Sequence, residues 1–240
     1  MPPVLCLIAA VCVGLSKSGF PGVSLITVAL MAEAFPARQS TGVLLPLLII
    51  GDLCAVHSFR QHTLWKQIAR MLPPAIVGIF IGFFLMRSVP DAAFKPVLGW
   101  MLLCTVLLQG VRTTFPQLGS RVPNSMLFAW AMGIWAGVST MVANAAGPIM
   151  AIYFIALALP KENLIGTSAW LFLIINVFKL PFSAALGLLQ TPSLLLDLAL
   201  APLVLIGNSL GKRLVRHIPQ RAFEIMLLVS ATAAAVKLIL

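Results

Sequence analysis

Residues 14–22 read GLSKSGFPG, and they interrupt an otherwise apolar segment. The residues VLCLIAAVCV (4–13) come before this stretch, and VSLITVAL (23–30) follow it. Glycine lets a backbone turn sharply, and proline is favoured at the start of a helix. The stretch therefore predicts two short helices separated by a break, with Lys17 at the break.

The composition indicates an integral membrane protein. Of the 240 residues, 60% are hydrophobic and 9% are charged, and the mean hydropathy is +1.05. Soluble domains carry roughly 25% charged residues. Apolar segments near the length needed to span about 30 Å of hydrocarbon as helices recur along the chain, and no polar segment between them is long enough for a soluble domain.

The positive net charge does not point to nucleic acid. A charge of +10 would suggest a nucleic-acid partner in a soluble protein, but here the basic residues are spread over the loops between apolar segments. They report orientation in the membrane instead. The four cysteines lie in apolar segments without CxxC spacing, so we interpret them as small buried hydrophobes and expect no metal and no cofactor.

The sequence contains an internal duplication. Residues 36–52 align with 160–176 at an offset of 124, which pairs Gly42 with Gly166 and Asp52 with Asn176. Residues 73–98 align with 202–227 at an offset of 129, and the matched positions include glycines, prolines and an arginine. Shared hydrophobicity alone does not explain such matches, so we predict two repeats, 1–122 and 123–240.

Each repeat is predicted to hold one broken helix pair and three ordinary spans. A helix of about thirteen residues rises only about 20 Å, so the first pair is predicted to enter the membrane and return as a hairpin, with two short tilted crossings as the alternative. The predicted fold is an all-α integral membrane protein with two inverted repeats and eight to ten membrane helices. The segments are the hairpin 3–35 with spans 41–58, 71–87 and 96–112, and the hairpin 125–159 with spans 164–182, 196–212 and 222–240.

The distribution of basic residues favours this arrangement. If each hairpin returns to its starting side, the halves are inverted and most loop charges collect on one side, which the positive-inside rule assigns to the cytoplasm. Both termini then face outward. The basic side has Arg60, Lys66, Arg70, Arg112, Arg121, Lys161, Lys212, Arg213, Arg216 and Arg221, and the other side has Arg38, Arg87, Lys95 and Lys237.

The two breaks together predict an anion site. Inverted repeats with broken helices are typical of secondary transporters, and a helix that starts inside the membrane offers free N–H groups and the positive end of its dipole. The second break, MVANAAGPIM (141–150), has small residues and one amide. Lys17 would supply charge, although a lysine that snorkels to the interface is the alternative. The candidate substrate-binding residues are Lys17, Ser18, Gly19, Gly22, Ser139, Thr140, Asn144, Ala145, Gly147 and Asn176.

Three further polar residues lie within predicted spans. Carboxylates inside membranes are usually functional, so Asp52 is a candidate proton or cation-coupling residue, with a helix-packing hydrogen bond as the alternative. His57 is a second candidate coupling residue, with interfacial packing as the alternative. Lys179 fits snorkelling and an anion pathway equally well.

The two break motifs carry a family resemblance. GLSKSGFPG, and TMVANAAGPIMAIY at 140–153, resemble the paired motifs of the sulfite exporter TauE/SafE family, also called toluene sulfonate uptake permeases, over essentially the whole chain. Ser18 and Pro21 stand where this family often has glycine. The resemblance implies transport of sulfur-containing anions such as sulfite, sulfoacetate or related organosulfonates across a bacterial inner membrane. In that membrane the outward-facing termini predicted from the basic residues would be periplasmic.

Other functions remain as alternatives. A proton- or cation-coupled importer of the same anions is the main one, and an anion channel is more remote. A membrane enzyme would need a nucleophile with a base or a metal cluster, and His57, His62 and His217 lack such spacing. We therefore expect a transporter and no enzyme, with a small anion and the lipid bilayer as partners; the sequence allows a homodimer without requiring one.

Overall fold

The computed structural model describes residues 2–20, 22–114, 125–157 and 159–214, and then positions 229, 232, 233, 235, 236 and 239. Within these residues the chain is helical and contains no strand. The helices are α1 (Pro2–Lys17), α2 (Val23–Ala34), α3 (Ala37–Phe59), α4 (Trp65–Ser88), α5 (Asp91–Thr114), α6 (Met126–Ala143), α7 (Gly147–Ala156), α8 (Lys161–Ala185) and α9 (Thr191–Leu214), with a 3₁₀ turn at Arg60–His62. The predicted all-α membrane fold is confirmed.

Helix lengths separate spanning from non-spanning elements. Among the described residues, five helices are long and apolar enough to cross a membrane, and these are α3, α4, α6, α8 and α9. By contrast, α2 has 12 residues and α7 has 10, so they rise only about 18 and 15 Å. Each short helix follows a break, one between α1 and α2 and one at 144–146, as the two break motifs predict.

The central pair of helices consists of α3 and α8, which begin after Pro36 and Pro160. The Gln39 amide donates to Gln190 over 3.1 Å at one end of the pair, and the Asn163 amide donates to the His62 carbonyl over 3.1 Å at the other. The two helices therefore run antiparallel. An inverted duplication predicts this orientation, and the full two-fold relation between the repeats stays a prediction.

Close backbone contacts join each repeat to the other. On α4, a Cβ at Gly78 would overlap the Ile134 carbonyl and Gly137 of α6. On α9, a Cβ at Gly207, which the duplication pairs with Gly78, would overlap the backbone of Val11 in α1. Glycine is thus required at both positions because the helix backbones touch.

These contacts give a first prediction. We expect Gly78→Ala to destabilise the protein by about 1–3 kcal/mol, because the added methyl group must push two backbones apart. Gly110→Ala on α5 is the matched control, since nothing lies within 4 Å of a Cβ there and alanine is the better helix former. Thermal unfolding in detergent measures both. Equal midpoints for the two variants would contradict the close packing.

The two ends of the helix bundle differ in charge. Lys212 donates to Ser58 at the end where α3 and α9 finish. At the opposite end Arg38 bonds to the Val89 carbonyl and forms an ion pair with Asp91 over 2.9 Å. The basic residues Arg60, Lys66, Arg70, Lys212 and Arg213 belong to the first end, as the charge pattern predicts.

Part of the sequence-based prediction lies outside the described residues. This part comprises most of the span 222–240, together with Pro21, Arg121, Arg216, His217, Arg221 and Lys237 and the side chains of Arg112 and Lys161. All four cysteines are free thiols, and Cys104 is exposed, so the interpretation as buried hydrophobes fits Cys6 best.

Candidate functional site

The first break turns directly after Lys17. The backbone of Gly19 has φ 121°, a left-handed conformation that side chains disfavour. The buried Ser18 hydroxyl donates to the carbonyls of Gly14 and Leu15 at 3.1 and 2.9 Å, so it caps its own helix rather than pointing to a ligand. Gly22 is the N-cap of α2.

The second break has an equivalent left-handed residue. Asn144 follows α6 with φ 52°, the only non-glycine residue with positive φ among the described residues. Its N–H donates to the Thr140 carbonyl over 3.1 Å, and the N–H of Ala145 donates to the Ser139 carbonyl over 3.3 Å. These bonds satisfy the last carbonyls of α6. The next helix, α7, begins at Gly147.

A buried carboxylate joins the first break to both central helices. The Lys17 ammonium nitrogen lies 2.6 Å from Asp52 Oδ1, and the Asn176 amide donates to Asp52 Oδ2 over 2.6 Å. The Asp52 side chain is fully buried, whereas that of Lys17 retains 12% exposure. The duplication pairs Asp52 with Asn176, and the structure places these two residues in direct contact.

Lys179 forms the matching link to the second break. Its ammonium group donates to the Thr140 carbonyl at 2.8 Å, the Thr140 hydroxyl at 3.1 Å, Asn144 Oδ1 at 2.6 Å and Asn176 Oδ1 at 3.3 Å. The residue is 1% exposed. The Asn144 amide nitrogen donates to the Thr41 carbonyl over 2.9 Å, so both ends of this amide have protein partners.

Between the two breaks lies a cavity of about 40 Å³. A buried water needs about 10–15 Å³ by the same measure, so the cavity has room for about three waters or one small oxyanion. Lys17 lines it, and the ammonium nitrogen of Lys17 sits 4.7 Å from the centre of the ring of Phe172, another lining residue. The lining residues are Ser16, Lys17, Ser24, Leu48, Thr140, Asn144, Ala146, Gly147, Phe172 and Asn176.

The cavity gathers half of the predicted binding residues. Lys17, Thr140, Asn144, Gly147 and Asn176 line it. The remaining predicted binding residues shape the two breaks or pack beside them, and they are Ser18, Gly19, Gly22, Ser139 and Ala145.

The two predicted coupling residues differ in position. Asp52 lies behind Lys17, where it contacts the site through that lysine and Asn176. His57 is exposed near the end of α3 and is not among the lining residues.

The sequence analysis did not identify all the residues that line the cavity. Leu48 and Phe172 line the cavity and are paired by the same offset of 124 that pairs Asp52 with Asn176, so the duplication contained a signal for them. Ser16 and Ser24 flank the first break at positions that give no sequence signal. Lys179 was recognisable as a cation within a span, but the sequence did not show that its side chain points into the protein.

The formal charges of the network favour an anion. Lys17 and Lys179 each contribute +1 and Asp52 contributes −1, which leaves +1 in a buried region of low dielectric. The N-terminus of α7 at Gly147 also faces the cavity and adds the positive end of a helix dipole. A small anion would neutralise the excess charge.

Comparison with known proteins identifies the family of this chain. No curated protein and no solved structure matches the chain. The family model described as "Sulfite exporter TauE/SafE" matches residues 6–238, nearly the full length. This multi-pass membrane protein therefore belongs to the sulfite exporter TauE/SafE family of membrane transporters.

Proposed function

We propose that this protein exports small sulfur-containing anions, sulfite first among them, across a bacterial inner membrane. The observation that carries the proposal is the cavity between the two breaks, which is bordered by the Lys17 ammonium and the N-terminus of α7. The basic end of the bundle faces the cytoplasm and both termini face the periplasm, as the positive-inside rule predicts.

The dimensions and chemistry of the cavity support a compact oxyanion. One sulfur atom with its oxygens fits a cavity of about 40 Å³. Lys17 supplies an ammonium group on the polar side of the cavity, whereas Leu48 and Phe172 close the apolar sides. The buried Asp52 is held by both Lys17 and Asn176, so it offers little to the ammonium group of a zwitterionic sulfonate.

The membrane potential favours export over import of an anion. Moving one charge through 100 mV is worth about 2.3 kcal/mol, so a dianion leaving an inside-negative cell gains about 4.6 kcal/mol. That energy corresponds to an outward gradient of more than about a thousandfold without any coupling ion. Import would require several co-transported cations, and Asp52 is the one carboxylate in the described site.

Efflux from proteoliposomes tests the proposal. Vesicles loaded with labelled sulfite and clamped with valinomycin and potassium should release the anion faster as the interior is made more negative, with a rate that saturates at high sulfite. Efflux that ignores voltage and stops when a proton gradient is collapsed would instead identify a proton-coupled carrier. Unitary currents without saturation would identify a channel.

A further inference from the structure

We infer that Asp52 is an internal counter-ion of Lys17 that the transported anion replaces: Lys17 pairs with Asp52 in the empty carrier and with the substrate in the loaded one. The inference rests on the proposed function, because it assigns a role within the same site. It differs from proton coupling, in which Asp52 would carry a proton across the membrane.

The geometry divides the pair into a fixed and a movable member. Asp52 projects from the middle of α3 and is fully buried, and the Asn176 amide holds its Oδ2 at 2.6 Å. Asn176 is itself fixed by Lys179, which donates to its Oδ1 over 3.3 Å. Because this anchoring does not involve Lys17, the carboxylate keeps its place when Lys17 turns away.

Lys17 has the freedom that Asp52 lacks. It is the last residue of α1, and the left-handed turn at Gly19 follows directly. Lys17 lines the cavity, its ammonium nitrogen lies over the Phe172 ring, and 12% of its side chain is exposed. A small rotation of the stem would exchange the Asp52 oxygen for an oxygen of an anion in the cavity.

This exchange of partners keeps the Lys17 ammonium paired at every stage. An unpaired ammonium in a buried site is strongly unfavourable, so a carrier that releases its anion needs a replacement partner before it reorients. Asp52 provides that partner at 2.6 Å. The same carboxylate competes with the substrate, which weakens binding enough to let the anion leave.

Asp52→Asn tests both roles of the carboxylate, as competitor of the substrate and as partner of Lys17 in the empty carrier. The asparagine has nearly the same shape but no charge, so Lys17 loses its competitor and we expect sulfite to bind about tenfold tighter by calorimetry in lipid nanodiscs. The empty carrier then reorients slowly, because Lys17 has no counter-ion after the anion has left. Net efflux from proteoliposomes should fall about tenfold, whereas exchange of labelled for unlabelled sulfite should stay within about twofold of wild type.

Three variants serve as controls. Asp52→Glu keeps the charge and should restore net efflux, and Asp52→Ser repeats the test should the asparagine variant fold poorly. Asp197→Asn removes another buried carboxylate, on α9 outside this network, and should leave the ratio of net efflux to exchange unchanged.

Weaker sulfite binding in Asp52→Asn, or an equal loss of net efflux and exchange, would overturn the inference while the proposed function stands. A wild-type protein that neither binds nor moves sulfite would overturn both.

Discussion

Lys17→Ala is expected to weaken sulfite binding by roughly tenfold to a hundredfold. A desolvated hydrogen bond to a charged group is worth about 1.5–3 kcal/mol, which converts to this range of dissociation constants. Lys17 is the cation that borders the cavity, and its partner Asp52 is anchored independently by Asn176. Calorimetric titration of the purified protein with sulfite measures the loss.

Two substitutions sharpen this result. Lys17→Arg should be only partly tolerated, because a planar guanidinium is bulkier than an ammonium beside the Phe172 ring. Lys66→Ala removes an exposed lysine of α4 and should leave the affinity unchanged. If Lys17→Ala folds normally and binds sulfite as wild type does, Lys17 snorkels to the interface and is not part of the binding site.

The second large effect is expected on stability, from Lys179→Met. This substitution preserves the approximate length of the side chain and removes the donor to Thr140, Asn144 and Asn176. The Thr140 carbonyl keeps the Asn144 N–H, whereas Asn144 Oδ1 and Asn176 Oδ1 lose the Lys179 donor. Each buried acceptor left without a partner costs about 1–3 kcal/mol, so we expect a loss of at least about 2 kcal/mol and a lowered unfolding midpoint. The second break should loosen first, since two of the lost bonds end at Thr140 and one at Asn144.

Val177→Met is the matched control on the same helix. Val177 is exposed, so methionine there should change the unfolding midpoint little. Thermal unfolding in detergent compares the two variants directly. A Lys179→Met protein as stable as the control would mean that Lys179 contributes no net stabilisation to the second break.

The sequence predicted the helices well because the length of an apolar segment and a break of small residues are local signals. Prediction placed a span at 41–58, and α3 covers 37–59; it placed another at 164–182, and α8 covers 161–185. The differences lie at the polar ends, where a hydropathy window stops before the helix does. The paired positions Asp52 and Asn176 were also readable, because the duplication aligns them.

The polar contacts were harder to predict because they depend on rotation and depth of the helices. Lys179 is compatible with snorkelling or with burial, and only the packing of α8 against α3 and α4 decides that it points inward, to the Thr140 carbonyl. Asn144 was assigned to the substrate, yet its amide bonds to Lys179 and Thr41 in this state. Asp197 gave no motif, although it is 2% exposed on α9.

The contact between Asp52 and Asn176 has a consequence for the resting state of the carrier. Two identical inverted halves would give inward-facing and outward-facing states of equal energy. Here the halves differ in charge, since the duplication pairs the charged Asp52 of the first half with the neutral Asn176 of the second. Likewise, Lys17 lies two positions before the first left-handed residue, and the neutral Val142 lies two positions before the second. Under the proposed transport function we therefore expect the two access states to differ in population, and the concentration of anion that half-saturates transport to differ between the two faces of the membrane.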